Sequence, residues 1–324
     1  MRKSMILCCA LLMLGACGRR GAAPAVQTEP TASSAEQVEQ RKVVVPEPPA
    51  MMTDRGEQAL WLTEHYWDNF DFTDTTYADA KQVMEVAFGS YATVLSAVPV
   101  EAGIRSVETL FDKAQASRKM YDCFTELAEL YFYDPNSPVR NDEYYIVTLQ
   151  SMVASPLLDE YEKIRPQEQL KLSLKNRVGT PAADFRYTLA SGETGTLYGI
   201  KAPFVLIFIN NPGCPACKEV KEAITASGFL SQLIQLGVLK VLAIYPDQDL
   251  TEWYDYAPNI PEEWINSYDK ELRIKDQELY DLQAIPTLYL LDGKKQVLLK
   301  DCMSIPRIEQ TIYDNREKAN EWVK

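Results

Sequence analysis

Histidine is nearly missing: His65 is the only one in 324 residues. It has no cysteine, aspartate or histidine partner at metal-ligand spacing, which excludes a zinc set built around it and leaves it a structural role. Positive charge is scarce as well. With 33 Lys and Arg against 46 Asp and Glu, the formal net charge is -13, and the electrostatic case for nucleic-acid binding disappears. Long apolar runs are lacking, since the segment at residues 5–14 is too short to span a bilayer as a mature helix. Cysteine is too sparse for a disulfide scaffold. Of seven, Cys8 and Cys9 lie in that apolar segment and Cys17 just beyond it, which leaves Cys123, Cys214, Cys217 and Cys302. Only Cys214 and Cys217 stand close enough to suggest a designed pair. Cys123, among Tyr121, Phe124 and Leu127, and Cys302, after a strand, are read as buried, inert thiols.

What is present starts with Met1-Arg2-Lys3, the apolar segment and Leu14-Gly15-Ala16-Cys17. A basic start, a short apolar stretch and small residues before a break describe an export signal over residues 1–16. Leu-Gly-Ala-Cys resembles the bacterial lipobox, which implies acylation of Cys17 and attachment to a membrane without a transmembrane helix. The alternative is an ordinary signal peptide whose cysteine falls there by chance. Residues 17–50 carry Pro24, Pro30, Pro46, Pro48 and Pro49 among small and polar residues, and read as a disordered tether. No acidic run follows Cys17, which favours the periplasmic side over surface display.

Residues 51–175 read as an all-α domain of about five helices, because apolar residues recur at steps of three, four and seven. Examples are Leu60, Trp67 and Phe70; Val83, Val86, Ala87 and Tyr91; and Val107, Leu110, Phe111 and Ala114. Breaks fall at residues 71–76, at Pro99, at residues 134–138 and at Pro156. Trp61, His65, Tyr66, Trp67, Phe70 and Phe72 lie on one or two helical faces and are read as core rather than as a ligand cage. The stretch at residues 64–72, EHYWDNFDF, with Asp74-Thr75 after it, resembles a helical domain of unknown function found in lipoproteins of Bacteroidetes ahead of a thioredoxin module. That resemblance implies an arrangement and no chemistry.

From residue 176 the pattern changes. A hairpin is expected over residues 186–197, then Phe204 to Ile209 is a six-residue apolar run, as in a strand buried on both faces. Asn210-Asn211-Pro212-Gly213 turns the chain, and Cys214-Pro215-Ala216-Cys217 opens a helix whose first turn tolerates proline. Cys217, Val220 and Ile224 share one face, so Cys217 points inward while Cys214 sits at the exposed end. There, free N–H groups and the helix macrodipole favour a thiolate, so Cys214 is the attacking nucleophile and Cys217 the resolving thiol. Zinc, copper-chaperone and peroxiredoxin readings of the pair fail for want of a second ligand pair, a C-x-x-x-C spacing, and a Thr or Ser at Asn211. A second buried strand is expected at residues 238–245, then Ile285-Pro286-Thr287 precedes a strand, an Asp292-Gly293 hairpin and a final helix over residues 305–323.

Buried strand, C-x-x-C helix, parallel strand and Ile-Pro-Thr before a hairpin together resemble the thioredoxin fold, over residues 178–324. The resemblance implies an α/β thioredoxin-like domain at residues 176–324, preceded by the separate all-α domain. It also implies a cis Pro286 facing the cysteines and a client groove at Ile285, Pro286 and Thr287 that docks substrate as an added strand. The spacing from Cys214 to Pro286 leaves room for an insertion, as in the TlpA and ResA branch of membrane-tethered periplasmic thioredoxins. That branch implies a reductase, protein dithiol or disulfide clients, a membrane dithiol donor, and no cofactor or metal beyond the cysteine pair. Three positions depart from the family pattern: Gly213 replaces a Trp, Phe208 a buried Asp, and Val220 a Glu, which leaves Cys217 without an assigned proton acceptor. The competing reading is a non-catalytic binding lipoprotein whose helical domain is the working surface and whose thioredoxin fold is a scaffold.

Overall fold

The computed structural model describes residues 42–317. Cys17, the signal at residues 1–16 and the tether up to residue 41 lie outside the described residues. Residues 42–50, read as the end of the tether, belong to the folded part. Val43 is buried in the helical core and Val45 packs against it, so the apolar triplet at residues 43–45 outweighs the prolines around it.

Among the described residues six α-helices precede the sheet: α1 (Arg55–His65), α2 (Lys81–Leu95), α3 (Val100–Ala114), α4 (Arg118–Ala128), α5 (Asp142–Ala154) and α6 (Ile164–Ser173). A π-helical turn, Glu129–Tyr133, extends α4. Several starts are set by a side chain that accepts from a free N–H of the first turn. Asp54 caps α1, Ser117 caps α4 and Asn141 caps α5. The break at Ser117 was not expected from periodicity, because apolar spacing runs on across it.

Trp67, Phe70 and Phe72 are buried, although they follow the end of α1 rather than lying on it. Trp67 stands edge-on to Phe124 with centroids 5.1 Å apart, and Phe88, Tyr91 and Phe132 lie in the same aromatic interior. Leu60 and Val86, expected on inward faces, are exposed.

The rest is one seven-stranded sheet: β1 (Arg186–Leu189), β2 (Thr194–Thr196), β3 (Phe204–Ile209), β4 (Leu239–Tyr245), β5 (Ile265–Tyr268), β6 (Thr287–Asp292) and β7 (Val297–Leu299), in the order β2-β1-β5-β4-β3-β6-β7. β3, β4 and β5 run parallel, and the other pairs are antiparallel. Between the strands lie α7 (Pro215–Ala226), α8 (Gly228–Gln235), α9 (Leu250–Tyr256) and α10 (Arg273–Asp276), and α11 (Ile305–Asp314) follows β7. The final helix is described over Ile305–Asp314, and residues 318–323 of its expected span lie outside the described residues.

Every residue of β3 is buried, and the strand's two-residue period divides it between two apolar layers. Phe204, Leu206 and Phe208 face the layer holding Cys217, Ile224 and Leu230; Val205, Ile207 and Ile209 face Phe185, Tyr280 and Tyr289. At about 1.5–3 kcal/mol per fully buried large apolar side chain, this strand anchors the half of the molecule that carries the cysteines.

Candidate active site

The β3 ladder carries the chain to the site. Ile209 pairs with Ile244 on one side and Thr287 on the other, and Asn210, still buried, donates its N–H to Ile244 O at 3.1 Å. The turn then needs a backbone conformation that a side chain disfavours. Gly213 has φ +72°, with no heavy atom within 4 Å of where a Cβ would stand. Glycine is therefore required by the left-handed bend, and the rim above the cysteines is open.

Cys214 is the N-cap of α7 and Pro215 follows in its first turn. The Cys214 Sγ accepts from the Cys217 N–H at 3.1 Å and donates toward the Ile285 carbonyl at 3.7 Å. Both thiols are free, Cys214 half-buried and Cys217 fully buried. Burial first, and then the adjacent Cys214 sulfur, push the Cys217 thiol well above its ordinary value. The two cysteines thus differ in access: one sulfur is presented at a free helix end, and the other is held as a thiol behind it.

The Ile285–Pro286 peptide bond is cis and lies across from Cys214. Pro286 is buried and Ile285 half-buried. Thr287 is placed differently from a groove residue. It is fully buried, and its Oγ1 donates to Asp301 Oδ1 at 2.5 Å, so its hydroxyl is committed to the interior.

The three departures have physical counterparts. Phe208 is fully buried against the edge of Trp264 at 6.0 Å, so this position puts an aromatic ring, and no carboxylate, beneath the pair. Val220 packs against the same layer, and the exposed Lys218 turns to Glu222 at 3.8 Å rather than to the sulfurs.

Sequence reasoning missed Tyr256. Burial raises its phenol, and the ring packs against the same apolar layer as Cys214 and Cys217, with Lys221 Nζ 5.3 Å from its centre. It enters from α9, inside the insertion, where no spacing rule links it to the cysteines.

Of the remaining thiols, Cys123 lies in the helical half and Cys302 borders the apolar layer that holds Cys217. Cys123 and Cys302 are half-buried rather than buried. Burial pushes Cys123 up to about 11 and also raises Cys302, which keeps both protonated at neutral pH. His65 bonds Asp68 at 2.7 Å and stacks on Trp61. Among the described residues no three His, Cys, Asp or Glu gather into a group that could hold a metal.

Residues 17–176 match the domain of unknown function DUF5106. Comparison with curated proteins gives no match. Among solved structures, a thioredoxin-like protein from Bacteroides caccae is 44% identical, with 85% of this chain and 99% of that chain aligned at a TM-score of 0.82. The C-terminal domain of a protein from Bacteroides fragilis is 52% identical over 43% of this chain and 98% of that one, at a TM-score of 0.42. The thioredoxin domain of a thiol-disulfide oxidoreductase from Bacteroides vulgatus is 17% identical over 44% of this chain and 96% of that one, at a TM-score of 0.37. The Bacteroides caccae relative, aligned over nearly its whole length, shows that the chain belongs to the thioredoxin-like family.

Proposed function

We propose that this protein is a thiol-disulfide oxidoreductase of the TlpA and ResA type, acting as a reductase. It is lipid-anchored through Cys17 and faces the periplasm, from the outer rather than the inner membrane. The observation that carries the redox reading is the arrangement of the pair. Cys214 Sγ caps an open helix end opposite the Ile285 carbonyl, with Cys217 buried directly behind it. A client segment extended along Ile285 and Pro286 would hydrogen-bond there as an added strand and present its disulfide to Cys214.

The exchange balances without a cofactor. The Cys214 thiolate attacks one sulfur of the client disulfide; that S–S bond breaks, a mixed disulfide forms, and the other client sulfur leaves as a thiolate. Cys217 then gives up its proton, which the client thiolate already released can take, and attacks Cys214 Sγ; this releases the second client thiolate and closes the Cys214–Cys217 disulfide. The client has gained two electrons, and a membrane dithiol donor restores the pair. The resolving step is slow until Cys217 deprotonates, so a Cys217→Ser protein should accumulate clients bound to Cys214. Non-reducing gels of cells expressing the folded variant should show these adducts, and they should vanish when Cys214 is also changed. Their absence would remove the redox reading and favour a binding lipoprotein with an inert scaffold.

A further inference from the structure

The helices and the sheet meet across a seam of charged side chains with little exposure. Arg140, in the turn before α5, is 13% exposed and Asp301, after β7, is 10% exposed; the Arg140 guanidinium bonds Asp301 Oδ2. The second oxygen of Asp301 accepts from Thr287, the first residue of β6. Asp142 completes the set. It lies 3.4 Å from Arg140 Nε and 2.9 Å from Lys300 Nζ, which also donates to Ser173 O at 2.9 Å. Two cations and two carboxylates thus satisfy one another across the boundary.

The other end of the same loop is held from the helices too. Lys171 Nζ pairs with Glu278 at 3.0 Å, Lys175 Nζ donates to Glu278 O at 2.5 Å, and Asn176 Nδ2 donates to Leu279 O at 2.8 Å. Residues 277–287 carry no helix or strand of their own until Thr287, yet they include the carbonyl that faces Cys214. Within the sheet half the segment is pinned at Tyr280, buried with its hydroxyl on Ala183 O at 2.8 Å; without a ladder of its own, its remaining backbone depends on the side-chain bonds from the helices. An apolar contact would hold the boundary as well in stability terms, so a desolvated ion pair here buys orientation rather than strength.

We propose that the helical half is the positioning element of the client groove. Arg140, acting through Asp301 and Thr287, fixes residues 277–287 so that the Ile285 carbonyl stands opposite Cys214. This rests on the thiol-disulfide reading. Arg140 and Asp301 touch neither sulfur; they act on the groove wall, and their removal affects docking of an extended protein client before it affects exchange with a small disulfide that needs no groove.

The test uses insulin with dithiothreitol as donor, and 5,5′-dithiobis(2-nitrobenzoate) in a single turnover against pre-reduced protein freed of dithiothreitol. Arg140→Ala and Asp301→Asn should each raise the KM for insulin about tenfold, with kcat and the rate on the small disulfide within about twofold of the unchanged protein. Arg140→Lys, which keeps the charge, should recover most of the insulin KM. An unchanged insulin KM in both variants, or an equal loss on both substrates in a folded protein, overturns the proposal. Hydrogen exchange reads the positioning without activity. In Arg140→Ala, amides of residues 277–287 should exchange at least about fivefold faster while β3 is unaffected, and wild-type protection there overturns the proposal. If the unchanged protein turns over neither disulfide, the redox reading falls, and the exchange result alone decides whether the seam holds the loop.

Discussion

The two halves of this molecule use their interiors in opposite ways. The helical half fills its core with rings, among them Trp67, Phe70, Phe72, Phe88, Tyr91 and Phe124, all buried, with Trp67 edge-on to Phe70 and Phe124 and Phe70 edge-on to Phe72. Among the described residues its acidic and basic side chains lie at the surface or along the seam. The sheet half is mostly aliphatic around β3, but it brings a sulfur into that aliphatic layer at Cys217 and ends the strand beside it. A core of rings tolerates little reactive chemistry because every position is spoken for by shape. A buried strand that stops short leaves a helix end, a turn and a carbonyl converging on one point. The difference teaches that the fold's chemistry resides where β3 ends, while the helical half supplies rigidity to what faces it.

The comparison breaks most sharply at Phe124, which has ring neighbours in Trp67 at 5.1 Å, Phe72 at 5.6 Å, Phe70 at 5.8 Å and Phe88 at 6.3 Å. Truncation to alanine empties the middle of the cluster and should cost about 3–5 kcal/mol by denaturant unfolding. Exchange with a small disulfide, per folded molecule, should stay within about twofold. A matching loss of exchange in a folded Phe124→Ala protein would show that the two interiors are not separable in this way.

Much of this division was legible in the sequence because it rests on short-range patterns. Six apolar residues followed by a turn and C-x-x-C specify a buried strand and a helix start almost unaided, and Cys217 falls inward by helical counting alone. β5 was not legible. Its residues Ile265-Asn266-Ser267-Tyr268 look like loop, yet Ser267 is fully buried and donates to Ala243 O at 3.0 Å, so a hydroxyl does within the sheet what apolar contact does elsewhere. Tyr256 and the Arg140–Asp301–Thr287 chain escaped for a related reason. They join residues far apart in sequence through polar contacts that leave no periodic trace, whereas Trp67 and Phe70 were placed correctly in the core for the wrong element, since their spacing continues past the end of α1.

Two glycines sharpen the contrast at lower cost. On α3, a Cβ at Gly103 would overlap the hydroxyl and ring edge of Tyr144, which is 2% exposed and tied to Leu95 O at 3.1 Å, so the ring has nowhere to go. Gly103→Ala should lower stability by about 1–2 kcal/mol, overpacking outweighing the usual helical gain. Gly213→Ala meets no atom but must hold φ +72°, and should cost about 1–2 kcal/mol by conformation alone. Thermal unfolding of the two variants measures both. A stabilised Gly103→Ala would mean that the helical interior has room to spare, which would undo the contrast in packing.

The smallest step concerns Cys217 and proton concentration. Burial raises its thiol, so near neutral pH it is protonated and its thiolate fraction climbs about tenfold for each pH unit. The lifetime of a mixed disulfide on Cys214 should therefore fall about tenfold per unit as pH rises from 6 to 8, read by quenched-flow gels. Linkage gives the matching sign for stability. A group whose folded pKa lies above its unfolded value stabilises fully below the unfolded value, and that contribution is lost as pH rises through the folded one. Reduced protein should thus lose stability on the alkaline side of the ordinary thiol range, and Cys217→Ala should flatten that loss. Cys123, raised by burial in the helical half, contributes to stability with the same sign but does not touch the exchange, so Cys123→Ala should soften the alkaline loss and leave the mixed-disulfide lifetime unchanged. A lifetime that shifts with Cys123 would tie the aromatic core to the chemistry it is argued only to support.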